Sequence, residues 1–280
     1  MKHGLTAALL CLLCIRPAVA VDTPPRIISV GGALTEIVYA LDSADSLVGV
    51  DTTSLFPEAA TQLPQVGYQR RLSAEGVLSL RPDVILMTSE AGPKTVLEQI
   101  KATGVKLVEL PAGHSVDGVA QKIRGVANAI GKTAQGEAMA DKLLADLEAV
   151  QQSQAGMKPS KVVFLMSMGQ GSPKAAGQQT AADEMIRLAG GINAFAETHQ
   201  GYKAISTEAM VAAQPDAILL TQDAIDTIGG IDQVVELPGI ALTPAGKHKR
   251  ILAMSGLDLL GFGPRLPQAV AELQRLLQTE

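Results

Sequence analysis

The amino-acid sequence predicts an α/β fold: two Rossmann-like lobes with mainly parallel sheets, joined by a single long helix, with a ligand cleft between the lobes. Three observations predict it. Short β-rich runs alternate with helical stretches along the chain, which is the pattern of βαβ units. A central segment, from Thr133 to Gln154, keeps one apolar helical face without a break. A piece of the first half also recurs in the second half at identical spacing.

The first twenty residues stand outside the fold. Lys2 is followed by an apolar run from Leu5 to Ile15 and then by Ala18-Val19-Ala20, the pattern of an export signal with an A-x-A cleavage site. The run is shorter than the ~20 residues a permanent transmembrane helix needs. Cleavage after Ala20 starts the mature chain at Val21 and exports it across the inner membrane. Cys11 and Cys14, the two cysteines of the chain, lie in the removed segment, preceded by leucines rather than by the small residues of a lipoprotein signal. A mature chain without thiols excludes disulfides, thiolate metal sites and cysteine nucleophiles together.

In the mature chain, Arg26 to Val30 reads as a strand, Gly31-Gly32 as a turn and Ala33 to Leu41 as a helix with Glu36 near its start. Strands follow at Leu47 to Val50, Asp83 to Met87 and Lys106 to Glu109. Helices fall near Ser73 to Leu80, Pro93 to Thr103 and Val116 to Ile130. From Thr133 to Gln154, Met139, Leu143, Leu144, Leu147 and Val150 share a face, with no Pro or Gly after Gly136. At about 1.5 Å per residue this helix runs roughly 30 Å, the width of a small domain, so it serves as a stiff strut. Gly156, Pro159 and Ser160 end it. A second α/β series has strands at Lys161 to Met166, Asp216 to Leu220 and Arg250 to Met254, and a final helix from Pro264 to Leu277. The expected division is a signal peptide over 1–20, an N-terminal lobe over 21–132, a linking helix over 133–155 and a C-terminal lobe over 156–280.

The internal repeat is the strongest argument for two related lobes. Leu72-Ser73-Ala74-Glu75 precedes Arg81-Pro82-Asp83-Val84-Ile85-Leu86, and Ile205-Ser206-Thr207-Glu208 precedes Gln214-Pro215-Asp216-Ala217-Ile218-Leu219 at the same spacing. Each unit reads as a Ser N-cap, a Glu in the first helical turn, two turns of helix, Pro-Asp, and a buried strand. Capping explains each unit alone. It does not explain the same spacing twice.

Composition narrows function. Without Lys2 and Arg16 there are 21 basic residues against 28 acidic ones, a formal charge of −7, which offers no general attraction to nucleic acid. Hydrophobic residues at 47% can fill one large core or two modest ones, and with aromatics at 2% each aromatic calls for a reason. No G-x-S-x-G occurs and no His pairs with a candidate base, so the chain does not read as an enzyme. Neither G-x-x-x-x-G-K-[ST] nor G-x-G-x-x-G is present; Gly31-Gly32 and Gly261-Phe262-Gly263 read instead as close backbone approaches in the cleft. His114, His199 and His248 fall in loops at no metal-ligand spacing and read as solvated.

The chain resembles the bacterial periplasmic substrate-binding proteins for haem uptake, of the class with two lobes joined by one long helix. The resemblance covers the whole mature chain and rests on Val66-Gly67-Tyr68-Gln69-Arg70 with Leu72-Ser73-Ala74-Glu75-Gly76, on Ala175-Ala176-Gly177 with Thr180-Ala181-Ala182-Asp183, on Gly201-Tyr202-Lys203, and on Leu259-Leu260-Gly261-Phe262-Gly263-Pro264-Arg265. It implies that haem is the transported ligand, that Tyr68 is the axial ligand of its iron, and that Glu75 and Glu208 dock, one per lobe, onto arginines of an inner-membrane ABC permease. A monomer supplied by an outer-membrane haem receptor system is the further implication.

The residue chemistry agrees with the implied ligand. Phenolate is a hard anionic donor suited to ferric iron, and since a free phenol titrates near pH 10 it needs a neighbouring cation or the iron itself to ionise. Arg70 supplies that charge or grips a haem propionate in a bidentate pair. Arg71 replaces the small or apolar residue usual in the family. Tyr202 and Lys203 are the corresponding candidates on the opposite lobe, for the haem face and a propionate respectively. Met168 stands where some relatives carry a histidine, as a contact to the porphyrin or the core. The competing readings are a ferric siderophore or a cobalamin in the same cleft and, less favoured by the spacing, a zinc or manganese ion.

Overall fold

The computed structural model describes residues 24–166 and 173–279. The first sheet contains β1 (Ile27–Val30), β2 (Leu47–Val50), β3 (Val84–Thr88) and β4 (Lys106–Leu110), in the order β2-β1-β3-β4 and parallel throughout. Its helices are α1 (Gly32–Ala40), α2 (Ala74–Ser79), α3 (Lys94–Ala102) and α4 (Val116–Ala129). Then comes α5 (Thr133–Gln152), 20 residues long. The expected boundaries hold to within one or two residues, the ordinary fraying of helix and strand ends.

The second sheet is less regular. β5 (Lys161–Met166) continues through β6 (Lys174–Ala176), α6 (Ala181–Leu188), β7 (Ile192–Asn193), β8 (Tyr202–Ala204) and α7 (Thr207–Ala213). After β9 (Ala217–Thr221) come α8 (Gln222–Ile228), α9 (Ile231–Val235), α10 (Pro244–Lys247), β10 (Ile251–Met254), α11 (Gly256–Leu260) and α12 (Leu266–Gln278). β10, β9 and β5 are parallel, as expected. β6 and β8 add an antiparallel edge, and β7 pairs with the start of β5. The pattern of apolar runs does not announce these three short strands, since each has two or three residues and no clear alternation.

Side chains alternate along the strands between two packing environments. On β5, Val162 and Phe164 face a shared core, while Val163 and Leu165 face an outer cluster of the second lobe; on β9, Ala217 and Leu219 divide from Ile218 and Leu220 in the same way. The first lobe has its own outer cluster, around Ile28, Val30, Ile85 and Met87. The shared core runs from Ile27 and Leu34 through Ala140, Leu143 and Leu147 of α5 to Leu273 and Leu277 of α12. One central core and two flanking ones result, and α5 belongs to the central one. Met139, Leu144 and Val150 pack against it half-buried. Gly136 matters here because a Cβ at that position would meet the Ala127 Cβ at 2.2 Å; its absence lets α5 lie close against α4.

The repeated motif adopts the same structure twice. Ser73 and Ser206 each accept a hydrogen bond from the amide three residues on, Gly76 and Ala209. Arg81 and Gln214, the residues before the prolines, both have positive φ, 46° and 43°. The Asp83 carboxylate accepts from the Arg26 amide at 2.8 Å and the Asp216 carboxylate from the Lys161 amide at 2.7 Å. In each lobe the Pro-Asp aspartate therefore pins the start of the lobe's first strand to the strand that follows the motif.

Candidate ligand-binding cleft

The loops beyond the carboxyl ends of the parallel strands surround a cavity of about 880 Å³. Ligands bind in this position in open α/β sheets, and the volume lies toward the upper end of the roughly 300–1,000 Å³ typical of small-molecule sites. The first lobe contributes Gly31-Gly32, Thr53, Phe56, Tyr68 and Arg70 among others, and the second contributes Met166, Tyr202, Asp223, Leu257 and Arg265. Gly32 is a close backbone approach as expected: a Cβ there would meet the Thr53 carbonyl at 2.4 Å.

Tyr68 occupies a tight turn after β2. The chain is held beside β2 by the Val66 amide donating to the Val50 carbonyl at 2.9 Å, and Gly67 turns it outward with φ +93°. The Arg71 amide closes the turn onto the Tyr68 carbonyl at 2.7 Å. Val66 and Leu72 are buried on either side, so the turn is anchored at both ends while the Tyr68 ring remains 39% exposed in the cleft. The turn is also laced to the β3–α3 loop by two hydrogen bonds of 2.9 Å, Leu72 amide to Gly92 carbonyl and Gly92 amide to Gln69 carbonyl. That lacing brings Glu90 to Arg70, whose guanidinium donates to its carboxylate at 2.5 Å.

Tyr202 faces the cleft from β8. Its ring meets Phe164 edge-on at 6.2 Å between centroids. Burial raises its phenol above the usual value, and the nearby Ala182 backbone and Thr180 side chain oppose this only in part. Tyr202 therefore stays protonated and packed against Phe164, whereas the Tyr68 ring projects from its turn.

The floor of the cleft joins the two lobes. Glu36 of α1 is buried and receives Arg265 in a bidentate pair, with Nε to Oε2 at 2.7 Å and Nη2 to Oε1 at 3.1 Å. Arg265 also pairs with Asp258 and stacks over the Phe56 ring at 4.0 Å. Burial pushes the Glu36 carboxyl above the usual range despite this partner. Beside the cluster, Lys122 of α4 donates through Nζ to the Phe262 carbonyl at 2.7 Å, and the His114 ring lies edge-on to Phe262 at 5.5 Å.

A sequence profile described as "Periplasmic binding protein" matches residues 27–256. The chain is a periplasmic binding protein. Its part is binding, not turnover. The binding protein shares 41% identity and a TM-score of 0.88 with the periplasmic haem-binding protein RhuT from Roseiflexus sp. RS-1 in apo form, over 91% of this chain and 98% of that one. With the periplasmic haem-binding protein BhuT in complex with two haems it shares 43% identity and a TM-score of 0.86, over 90% and 97%. Among curated relatives, the vitamin B12-binding protein of Yersinia pestis (strain Pestoides F) is 29% identical over 84% of this chain and 83% of its own length.

Of the residues singled out in the sequence, Tyr68, Arg70 and Tyr202 line the cleft of the binding protein. Arg71, which closes the turn through its amide, and Lys203 are exposed and are not among the lining residues; Lys203 follows Tyr202 on a strand, where successive side chains alternate. Met168 lies outside the described residues, as does the start of the Gly169 to Gly177 loop expected opposite Tyr68. Glu75 and Glu208 are exposed in the first turns of α2 and α7, away from the cleft lining. The reading of three solvated histidines needs correction at two positions. His114 is half-buried and lines the cleft, and burial lowers its basicity, helped by Lys122. His199 Nε2 lies 3.1 Å from the Ala175 carbonyl, so only His248 stands free as expected.

Periodicity missed three kinds of lining residue. Lys122 sits among apolar positions of α4 as an apparent surface charge, Phe56 follows a turn, and Arg265 acts across 229 positions of sequence on Glu36. The Glu36 carboxylate on an otherwise buried helical face was the available signal, because a buried carboxylate demands a cation.

Proposed function

We propose that this protein captures ferric haem in the cleft between its lobes and delivers it to an inner-membrane ABC importer. The observation that carries the reading is Tyr68: the one cleft tyrosine whose ring projects freely, on a turn anchored at both ends, with a guanidinium two residues away. Ferric iron takes up a phenolate there, and the cationic iron itself draws the phenol proton off. The apolar walls, including Phe56, Leu257 and Leu260, suit a flat macrocycle. Arg70 lines the same cleft beside Tyr68, held there by Glu90, and its positive charge favours the phenolate. The solved haem-binding relatives at 41% and 43% identity support the same assignment.

In this reading residues 1–20 are an export signal cleaved after Ala20, 21–132 and 156–280 form the lobes, and 133–155 join them. The protein acts as a monomer, and Glu75 and Glu208 meet the permease. A cobalamin in the same cleft is the second reading, favoured by the curated Yersinia relative. An absorbance titration with ferric haem, repeated on Tyr68→Phe and with cyanocobalamin as competitor, tests both. Saturation with a phenolate-to-iron charge-transfer band that Tyr68→Phe lacks is the expected outcome. Saturation by cyanocobalamin with no specific haem uptake would replace the first reading by the second.

A further inference from the structure

Three side chains that line the cleft carry a permanent or near-permanent positive charge, Arg70, Lys122 and Arg265. Arg70 is paired with Glu90, and Arg265 with Glu36 and Asp258. Lys122 has no carboxylate partner among the described residues. Its side chain is nonetheless buried, with the residue only 3% exposed, and its one hydrogen bond goes to the Phe262 carbonyl. An ammonium has three donors, so two N–H groups at the edge of the cleft lack a protein acceptor among the described residues. A buried cation left in this state is costly unless something anionic reaches it.

The surroundings leave room for one negative charge. Glu90, the carboxylate whose charge is felt at Lys122, is held by Arg70, so Arg70, Glu90 and Lys122 together carry a formal charge of +1. His114, from the β4–α4 loop, faces the same point and is driven toward its neutral form by burial and by Lys122. We propose that Lys122 is an anchoring site for a carboxylate of the bound ligand, which it takes through the N–H groups not used by the Phe262 carbonyl, with the His114 ring adjoining. The inference rests on the haem reading, since ferric haem presents two propionates and Arg70 is already engaged by Glu90.

A simpler role would be structural, because the Lys122 to Phe262 hydrogen bond also ties the first lobe to the second. The two roles differ in pH dependence. Burial brings the Lys122 ammonium down to about 8, with Glu90 opposing, so the free protein loses that charge as the pH rises through about 8. A bound carboxylate favours the charged form. The contribution of Lys122 to binding is therefore full below pH 8 and shrinks above it, whereas a neutral amine still donates to a carbonyl.

The test compares ferric haem with its dimethyl ester, which keeps the iron and the ring and loses both negative charges. Absorbance titrations of the wild-type protein at pH 7 should show a preference for the acid on the order of tenfold, the scale of one hydrogen bond between charged groups, narrowing between pH 8 and 10. Lys122→Met should lose most of that preference while retaining the charge-transfer band from Tyr68. Lys122→Gln, which keeps a donor for the Phe262 carbonyl, carries the same comparison should the methionine variant fail to fold. A wild type that binds acid and ester equally, or a Lys122 variant that keeps the full preference, would overturn the inference and leave the haem reading standing. No specific binding of either form by the wild type would overturn both.

Discussion

The two lobes start from one motif and put their cleft tyrosines to different uses. In the first lobe the sheet is purely parallel, and the tyrosine sits on a turn beyond the carboxyl end of β2, its ring outward. In the second, the antiparallel edge of β6 and β8 carries the tyrosine on a strand, where its ring packs edge-on against Phe164 and burial raises its phenol above the usual value. An identical side chain is thus a free donor in one place and a packed wall in the other. Its burial and the packing around its ring decide the role, not its position in the cleft.

The sharpest way to break this comparison is to remove each tyrosine in turn. Tyr68→Ala should abolish the ferric phenolate band and weaken haem by more than about 100-fold, since even outer partners of a metal ligand cost roughly 10–100-fold. Tyr202→Phe should keep the band and change affinity by only about threefold, the value of one neutral hydrogen bond at the low end. Absorbance titration reads both. Equal losses at the two positions would mean that the geometric difference between them has no functional consequence.

The lobes also differ in what each brings to the cleft floor. The first offers the buried Glu36 carboxylate, and the second offers Arg265. Removing one partner of a buried pair strands the other, so Arg265→Met should destabilise the protein by roughly 3 kcal/mol in urea unfolding. The loss should depend on pH. Burial holds the Glu36 pKa above its unfolded value, so its contribution to stability is present in full below about pH 4.5 and is lost as the pH rises through the folded value. Without Arg265 the folded value climbs further. Arg265→Met should therefore differ least from the wild type near pH 4 and most near pH 8, and a pH-independent difference would assign the loss to packing against Phe56 instead.

Much of the architecture was legible because it rests on local rules. Apolar runs mark buried parallel strands, Ser-x-Glu marks two helix starts, and the unbroken face from Met139 to Val150 marks α5. The repeat at Ser73 and Ser206 carried further than its parts, since the same spacing twice goes with the same hydrogen-bonding device twice, Asp83 and Asp216 each holding the start of a lobe's first strand. Tyr68, Arg70 and Tyr202 were legible through rarity and family pattern. Lys122, His114 and Arg265 were not, or not in their cleft roles, because their partners lie 140 positions away in the case of Lys122 and Phe262 and 229 in the case of Arg265 and Glu36. β6, β7 and β8 escaped for another reason: strands of two or three residues take their stability from neighbours, not from their own pattern.

The repeated motif yields the smallest and most even effects, and these sharpen the comparison between lobes. Ser73→Ala and Ser206→Ala each remove one N-cap, at a cost of about 1 kcal/mol, and should lower the unfolding midpoint by similar amounts. The glutamates two residues on are solvent-exposed. In Glu208 the carboxylate is held below its usual range by its own amide and by the Ser206 hydroxyl, an arrangement that fixes its position without burying its charge. Glu75→Ala and Glu208→Ala should accordingly leave the haem titration unchanged and lower importer-dependent uptake in reconstituted vesicles. If each variant alone is impaired and the pair is worse than either, both lobes contribute to docking. If one variant accounts for the whole defect, the two copies of the motif have diverged in function as their tyrosines have.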